Sequence, residues 1–455
     1  MSKKSLFAVL LIVAIAALAV APAVAQEKTV VTWFVGLGTG TDAAQIEVQN
    51  AVVEAFNASQ SDIELKINIA ASNQVAPDAL STLIAAGTAP DIVGPVGFDG
   101  SNKFAGQWLD LQPLVDATAY DLSQFPENLV NLYKEGDALI GIPFAVFPGL
   151  LYYNADLFDE AGLNYPPSEL PAKYVMPDGT ERDWDYATVA EIAAILTVDA
   201  NGNDATSPDF DASNIVQFGF AHQWGTMRSD FSTFGGAPVV DEASGKVLIP
   251  EQWRAAAQWI YDGLWTSHFI PTATYSASQL LTPSEFASGN LAMGRTMLWY
   301  TCCLGDLDAN WDIAYQPGYN GQIYAPADAD TFRLHRDTQN PEAAFTVLQY
   351  LLGDAALDLL TVYGAYPARP DLQEASIQLK AEQYPSVQNW DIVAPSLDFA
   401  TVPHHEAWFP GYSQGQQRFS DFRTLLTGDG GADIDLQAEL DKLQADLQTI
   451  VDQNS

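Results

Sequence analysis

The sequence predicts an α/β fold with two lobes, each built around its own hydrophobic core. Strand and helix patterns alternate along the first part of the chain, which is typical of a sheet of parallel strands with helices on its faces. The chain has 455 residues, and a chain of that length can bury two large cores. Its hydrophobic share of 48% and aromatic share of 11% indicate a globular protein.

The predicted elements follow one another in a regular order. Thr29 to Val35 is β-branched and apolar, which predicts a buried strand, and the alternation from Ile63 to Ile69 predicts a half-buried one. Asp42 stands where it can cap a helix that runs to Phe56. Periodicity also predicts helices over 78–86, 251–264, 341–352 and 435–451, a third strand that begins at 90–93, and polar surface loops at 165–185 and 199–211.

The first 25 residues have the pattern of a leader sequence. Lys3 and Lys4 precede an uncharged apolar run from Leu6 to Val20, and Ala23-Val24-Ala25 is a small-x-small motif that signal peptidases accept. The alternative is a membrane anchor, but a span needs about 20 apolar residues and this run is shorter. We therefore predict a signal peptide over 1–25 and a mature chain that is secreted, to the periplasm or to the cell exterior.

The charge of the chain restricts its partners. Lys and Arg number 19 against 57 Asp and Glu, which gives a formal net charge of −38. Such a surface repels polyanions, so nucleic acid is not expected as a partner. Anionic membrane surfaces are disfavoured for the same reason. The balance favours neutral or cationic small molecules as ligands.

Cys302 and Cys303 are the only cysteines, and they are adjacent. This arrangement excludes a framework of several disulfides and a zinc site built on cysteines. An oxidising compartment favours a bond between the two. Adjacent Cα atoms are only about 3.8 Å apart, however, which is below the usual separation in disulfides. A bridged pair and two reduced thiols are both open alternatives.

A series of short motifs occurs in a fixed order along the mature chain. They are Gly87-Thr88-Ala89-Pro90-Asp91-Ile92-Val93, Trp108-Leu109-Asp110-Leu111, Gly141-Ile142-Pro143-Phe144, Tyr152-Tyr153-Asn154-Ala155-Asp156-Leu157-Phe158, Phe286-Ala287-Ser288-Gly289, Asn340-Pro341-Glu342-Ala343-Ala344 and Gly364-Ala365-Tyr366-Pro367. In order and spacing they resemble the extracellular solute-binding proteins of family 1, the group that includes maltose-binding protein. Unlike that protein, this chain has an apolar segment from Phe144 to Gly149, where maltose-binding protein has an acidic sugar contact.

The resemblance implies a two-lobed periplasmic-binding-protein fold of the type II kind, with a ligand cleft between the lobes. One lobe would consist of residues 26–147 plus 322–362, and the other of residues 148–321 plus 363–455. The implied function is capture of a small solute, a mono- or oligosaccharide, by a monomer that delivers it to the transmembrane permease subunits of an ABC importer. Such a protein is not an enzyme. The alternative is a secreted carbohydrate-active hydrolase, because carboxylates are too abundant to exclude a catalytic pair.

A sugar site needs aromatic platforms for apolar C–H faces and acceptors for hydroxyl hydrogens. The resemblance implies that Trp299 and Trp408 stack on the ligand while Asp42 and Asp99 accept its hydroxyl hydrogens. The full set of candidate ligand-binding residues is Asp42, Phe98, Asp99, Trp224, Trp299, Tyr300 and Trp408. Burial in the core is the usual position of a tryptophan, and we expect it for Trp33 and Trp108.

Three further patterns point to other chemistry. Gly36 to Gly40 follows a strand and opens a helix, but the third glycine and the acid of a dinucleotide fingerprint are missing, so no nucleotide cofactor is expected. His404-His405-Glu406 lacks the second histidine of a zincin helix and is interpreted as a polar loop. The segment from Asp199 resembles the opening of a Ca²⁺ loop, with a plain polar turn as the alternative. Its candidate metal ligands are Asp199, Asn201, Asn203, Asp209 and Asp211, and no cofactor besides this Ca²⁺ is predicted.

Overall fold

The computed structural model describes residues 28–401 and 407–455. The predicted leader, residues 1–25, and the His404-His405-Glu406 motif lie outside the described residues. Within those ranges, no single helix is long and apolar enough to cross a membrane. Pro341–Leu352 and Ala356–Val362 reach the required length only when they are taken together, across a bend of 65°.

The first sheet has six strands. Their spatial order is Ile63–Ile69, Thr29–Val35, Ile92–Val96, Asp328–Leu334, Ile142–Phe147 and Tyr366–Pro367. The first three are parallel, with Trp33 paired to Ile67 on one side and to Ile92 on the other. The strand Asp328–Leu334 runs antiparallel to its neighbours on both sides. The sheet is therefore mixed, because this strand enters from the edge at which its neighbours end.

The second sheet has five strands. Their order is Val198–Asp199, Ile215–His222, Leu291–Met297, Gly149–Asn154 and Trp311–Ala314. Ile215–His222 and Leu291–Met297 are parallel neighbours, and Gly149–Asn154 runs antiparallel between two partners. The chain passes from the first sheet to the second at Pro148 and returns between residues 315 and 327.

The five predicted helices begin and end within three residues of their predicted bounds, and the other described α-helices were not predicted. Pro341–Leu352 has the predicted bounds, and Ala43–Ser59 begins where Gln45 accepts a hydrogen bond from the backbone of Asp42 at 3.4 Å. The described α-helices are Ala43–Ser59, Ala76–Ala85, Phe98–Asn102, Gln112–Thr118, Glu127–Asn131, Ala155–Ala161, Tyr186–Ile195, Met227–Ser232, Glu251–Trp265, Ala273–Ser276, Pro341–Leu352, Ala356–Val362, Gln373–Gln383, Val393–Ser396, Tyr412–Thr427 and Leu436–Asn454. Short 3₁₀ segments cover Leu122–Gln124, Gln279–Leu281, Phe286–Ser288, Leu298–Cys303, Pro370–Leu372, Trp390–Ile392, Leu397–Phe399 and Gly431–Asp433.

Five pairs of short strands complete the described structure. They are Lys134–Glu135 with Ala138–Leu139, Lys173–Val175 with Glu181–Asp183, Val240–Asp241 with Lys246–Val247, Gly318–Tyr319 with Gln322–Ile323, and Ala325–Pro326 with Ala400–Thr401. The second pair lies in the segment predicted to be a surface loop. Tyr174 and Trp184 are buried there and stack with ring centroids 5.6 Å apart, so this segment is anchored to the core.

The core residues explain several local signals of the sequence. Trp33 and Trp108 are buried, as predicted, and the indole Nε1 of Trp33 donates to the carbonyl of Gly94 at 2.6 Å. The carboxylate of Asp91 accepts from the backbone and the hydroxyl of Thr32, both at 2.8 Å, and from the hydroxyl of Thr338 at 2.6 Å. Asp91 thus joins two elements of the first sheet and has a structural role.

Candidate ligand-binding cleft

The ends of the parallel strands of both sheets carry most of the predicted site residues. In the first sheet, Thr29–Val35 leads into the loop that ends at Asp42, and Ile92–Val96 leads into the helix that holds Phe98 and Asp99. In the second sheet, Ile215–His222 leads to Trp224, and Leu291–Met297 leads to Trp299. The carboxyl ends of strands are the usual place for ligands in open α/β sheets.

We call the strand ends of the first sheet the first edge and those of the second sheet the second edge. Hydrogen bonds join these two edges. The indole Nε1 of Trp299 donates to Asp328 Oδ2 at 2.9 Å, and Asp328 begins a strand of the first sheet. The hydroxyl of Tyr412 donates to Asp99 Oδ1 at 3.1 Å, and the amide of Gln416 donates to the same oxygen at 3.3 Å. Side chains from the two sheets therefore face each other across a narrow gap, which we call the cleft.

Two tryptophans form an aromatic surface on the second edge. The rings of Trp224 and Trp299 are 6.2 Å apart between centroids, and their planes differ by 9°. Trp224 is 52% exposed. Strand register explains why the two tryptophans are neighbours. His222 and Arg295 lie opposite each other on adjacent strands, and Trp224 and Trp299 follow them by two and four residues.

Tyr300 requires a correction, because it is fully buried and presents no surface to a solute. Its hydroxyl pairs with that of Ser284 at 2.7 Å and accepts from the backbone of Ala287 at 3.2 Å. The ring packs edge-on against Trp224 at 5.1 Å. Tyr300 therefore supports the aromatic surface from behind, and the polar residues around it in the sequence gave no sign of this burial.

Trp224 has a backbone φ of +54°, which is rare for a bulky residue and needs support from its surroundings. Both neighbours of Trp224 are held. The backbone of Gln223 donates to the carbonyl of Arg295 at 2.9 Å, and Arg423 donates to the carbonyl of Gly225. A Cβ atom on Gly225 would lie 2.2 Å from Asp230 Oδ1, so only glycine fits there.

A buried ion cluster lies beneath this loop. Asp230 pairs with Arg423 through one oxygen and lies 3.6 Å from the guanidinium of Arg295 through the other. Arg295 also donates to the hydroxyl of Ser229 at 3.1 Å. Burial lowers the pKa of Arg295, although Asp230 opposes this shift, and burial lowers the pKa of the nearby His222 to about 4. The cluster fixes the loop that carries Trp224.

Carboxylates occupy the first edge. Burial of Asp99 would raise its pKa, but Lys103 and the bonds from Gln416 and Tyr412 outweigh burial and lower it. Asp330 lies on the same strand as Asp328, and a Cβ atom added to Gly97 would lie 3.1 Å from its Oδ1. Burial, and then the charge of Asp328, raise the pKa of Asp330 to about 7.

Sequence reasoning missed Asp328 and Asp330. The strand that holds them pairs with Ile142–Phe147, and Asp328 lies opposite Phe147. The apolar segment from Phe144 to Gly149 is therefore flanked by carboxylates from a neighbouring strand. That proximity comes from long-range pairing, so no local signal in the sequence could have shown it.

The remaining predicted residues lie around these edges. Asp42 is exposed at the start of Ala43–Ser59. Phe98 is half-buried and stacks on Tyr133 with centroids 5.4 Å apart, so part of its ring belongs to the core. Trp408 is 50% exposed, and the carbonyl of its neighbour Ala407 accepts from Arg228 at 3.2 Å. Ligand contact by all of these residues stays a prediction.

Asp199 organises the loop predicted to bind Ca²⁺. Its buried carboxylate accepts from the backbones of Asn201, Asn203 and Asp211 at 2.8–3.0 Å and from the amide of Asn203 at 3.2 Å. These bonds lower the pKa of Asp199 against the opposing effect of burial. Among residues 28–401 and 407–455 there is no group of three or more His, Cys, Asp or Glu that could hold a metal ion. The geometry is that of a polar turn, and Ca²⁺ binding there stays a prediction.

Two cavities lie beside the cleft. One has a volume of about 710 Å³ and is lined by Trp184, Tyr324 and Phe399 among others. The other, of about 870 Å³, lies between helix Ala43–Ser59 and Tyr384. Neither is lined by the aromatic pair or by Asp99. Trp299 and Asp99 are instead engaged in the hydrogen bonds that join the two edges.

Comparison with known proteins decides the family. The sequence profile described as bacterial extracellular solute-binding protein matches residues 51–388. The chain belongs to this family. The expected fold is confirmed: this solute-binding protein has the two-lobed, mixed α/β architecture of the family's solved structures.

Three similar structures illustrate the fold. The ABC substrate-binding protein Lmo0181 of Listeria monocytogenes, in complex with cycloalternan, is 20% identical with a TM-score of 0.74, over 93% of this chain and 99% of that one. Maltose-bound MalE3 of T. maritima is 19% identical with a TM-score of 0.68, over 92% and 99%. The GacH receptor of Streptomyces glaucescens is 15% identical with a TM-score of 0.69, over 94% and 100%.

Proposed function

We propose that this solute-binding protein captures a sugar in the cleft and delivers it to the permease of an ABC importer outside the cytoplasm. The observation that carries the proposal is the parallel pair Trp224 and Trp299 at an edge that also holds carboxylates: Trp299 bonds to Asp328 of the first sheet, and Asp99 bonds to Tyr412. Flat rings bind the C–H face of a pyranose, and carboxylates accept its hydroxyl hydrogens. The named ligands of the similar structures, cycloalternan and maltose, support the same class.

The organisation of the chain follows from this proposal. The expected lobes are residues 26–147 plus 322–362 and residues 148–321 plus 363–455, with one correction. Tyr366–Pro367 pairs with Ile142–Phe147 in the first sheet, so the last crossing between the lobes lies beyond residue 367. The leader over 1–25 directs secretion. The protein acts as a monomer, because one chain supplies both edges of the cleft. Trp408 and Asp42 complete the site from its two sides.

Binding calorimetry with maltose, maltotriose and mannotriose tests the proposal. Binding of one of these sugars, with the sugar recovered unchanged by chromatography, supports capture rather than hydrolysis. Small-angle scattering with that sugar at saturation should show a smaller radius of gyration, since two lobes close around a ligand by a hinge motion. Release of a smaller sugar would instead identify a hydrolase, and no binding in a wider screen of sugars and polyols would refute sugar capture.

A further inference from the structure

The two adjacent cysteines have an unusual arrangement. Cys302 and Cys303 close the 3₁₀ segment Leu298–Cys303, in which successive side chains point about 120° apart. Their sulfurs nevertheless converge to 2.6 Å, and both thiols are free. Cys302 is exposed and Cys303 is partly exposed, so solvent reaches the pair. No other cysteine exists in the sequence to compete for either sulfur.

Anchored groups surround the pair. The carbonyl of Thr301 accepts from the hydroxyl of Tyr384, and its hydroxyl accepts from the buried ammonium of Lys380 at 3.4 Å. On the opposite side, the Asp42 carboxylate at the start of the first helix is close enough to oppose ionisation of both thiols. The thiols therefore stand on a fixed backbone of the second edge, and Cys302 lines the same cavity as Ala44, which lies two residues after Asp42.

The pair is ready for thiol–disulfide exchange. The hydrogen bond between the sulfurs raises the pKa of Cys302 and lowers that of Cys303, so Cys303 ionises first. A thiolate is the attacking species in exchange. A ring built on adjacent residues is strained, and strained, exposed disulfides are reduced readily. The bond is therefore reversible.

We propose that Cys302 and Cys303 form a reversible redox site at the rim of the cleft, oxidised by small extracellular disulfides, and that ring closure strengthens sugar binding. In the first step the Cys303 thiolate attacks oxidised glutathione and expels one glutathione thiolate. Cys302, after loss of its proton, then attacks the Cys303 sulfur and expels the second. The protein loses two protons and two electrons, and two molecules of reduced glutathione form.

The effect on binding follows from charge. Once Cys303 of the dithiol form loses its proton, its negative charge and the carboxylate of Asp42 repel each other, which opposes approach of the edges. The ring carries no charge and removes this repulsion. Exposed charge pairs contribute modest energies, so the oxidised form should bind sugar about two- to fivefold more tightly at about pH 9.5, above the ordinary pKa of a thiol. This second part rests on the proposed function, whereas ring formation does not.

Intact-mass analysis after iodoacetamide labelling tests the ring itself. After incubation with oxidised glutathione, the folded protein should take up no label, and after dithiothreitol it should take up two. Two labels after oxidation, or a lasting glutathione adduct, would overturn the redox site. The Cys302→Ser, Cys303→Ser double variant is the control for labelling at other residues.

Calorimetry with maltotriose and mannotriose then compares the oxidised and reduced forms. Tighter binding by the oxidised wild type, with no response to oxidant in the double variant, supports the coupling. Equal affinity of the two forms would overturn it. If neither sugar binds, the radius of gyration of the two unliganded forms decides: the oxidised form should be more compact, and identical values would overturn the coupling. Absence of sugar binding together with ring formation would count against the proposed function alone.

Discussion

The two edges of the cleft are built in opposite ways. On the second edge, Trp224 and Trp299 rest on a buried cluster of charges, and Trp224 is held with a left-handed backbone. On the first edge, Asp42 and Asp99 stand on short segments at the starts of helices and reach solvent. One edge is rigid and aromatic, and the other is acidic and accessible.

This difference reflects what each kind of group needs for binding. An aromatic platform binds well only when its ring is fixed beforehand, since ordering a loop on binding costs free energy. A carboxylate accepts hydrogen bonds from several directions and needs less fixing. The protein accordingly places charges in the interior beneath the tryptophans, where removing one partner would leave another charge unpaired.

The largest effect should come from Asp230→Asn, which leaves Arg295 buried without an anionic partner. Loss of one member of a buried ion pair typically costs about 3–5 kcal/mol, and we expect the free energy of unfolding to fall by that amount. Urea denaturation followed by fluorescence measures it. The control is Asp446→Asn, since Asp446 pairs with Arg418 and Lys442 nearer the surface and should cost under about 1 kcal/mol. Equal losses in both variants would mean that the cluster does not support the second edge.

The next largest effect should come from replacing Trp299 in the aromatic pair. Trp299→Ala should weaken sugar binding by about 1–3 kcal/mol, as expected for a central aromatic contact, while the fold is retained. Trp299→Phe keeps a ring but loses the bond from Nε1 to Asp328, so its loss should be intermediate. Calorimetry on both folded variants provides the comparison. Unchanged affinity in Trp299→Ala would place the ligand away from the aromatic edge.

Asp330→Asn should change the pH dependence of stability at the first edge. Because burial and Asp328 raise the pKa of Asp330 to about 7, the folded chain keeps a proton between about pH 4 and 7 that the unfolded chain has lost. Rising pH therefore destabilises the fold across this window. Asparagine does not ionise, so the variant does not lose stability as the pH rises. Its free energy of unfolding should be about 1–2 kcal/mol higher than that of the wild type near pH 8 and similar near pH 4.

Thermal and urea unfolding over this pH range measure the difference. Asp308→Asn is a matched control, because Asp308 is exposed, and its unfolding curve should follow the wild type at each pH. A pH-independent difference between Asp330→Asn and the wild type would show that Asp330 does not keep a proton in the folded chain. Such a result would mean that the carboxyl groups of the first edge are all exposed to solvent.

The two sheets also differ in how much of them the sequence predicts. Strands Thr29–Val35 and Ile63–Ile69 have the predicted bounds, because β-branched and alternating patterns are local signals. The antiparallel strand Asp328–Leu334 was not predicted, since its pairing joins residues that are nearly 200 positions apart along the chain. The hairpin that buries Tyr174 and Trp184 was not predicted, because the prolines and polar residues of segment 165–185 are typical of a surface loop.

The sequence likewise predicts only part of the candidate site. Family motifs and strand ends placed Trp224, Trp299 and Asp99 at facing edges, because loop positions after parallel strands are fixed by the fold. Asp328 and Asp330 could not be singled out among 57 acidic residues. Tyr300 was predicted to touch ligand, and only the packing of Ser284 and Trp224 around it reveals a supporting role.

The smallest effect should come from Asp99→Ala, at the point where the acidic edge meets Tyr412 and Gln416. Asp99 is partly exposed, so loss of these two bonds should weaken closure by about 0.5–1 kcal/mol, well below their full value for a buried acceptor. Scattering should then show a larger mean radius of gyration than in the wild type at a subsaturating sugar concentration. Lys103→Gln is the control, because Lys103 pairs with Asp99 from the residue that follows the same helix. If both variants behave like the wild type, Asp99 contributes neither to closure nor to sugar binding, and the bond from Trp299 to Asp328 is sufficient to join the edges.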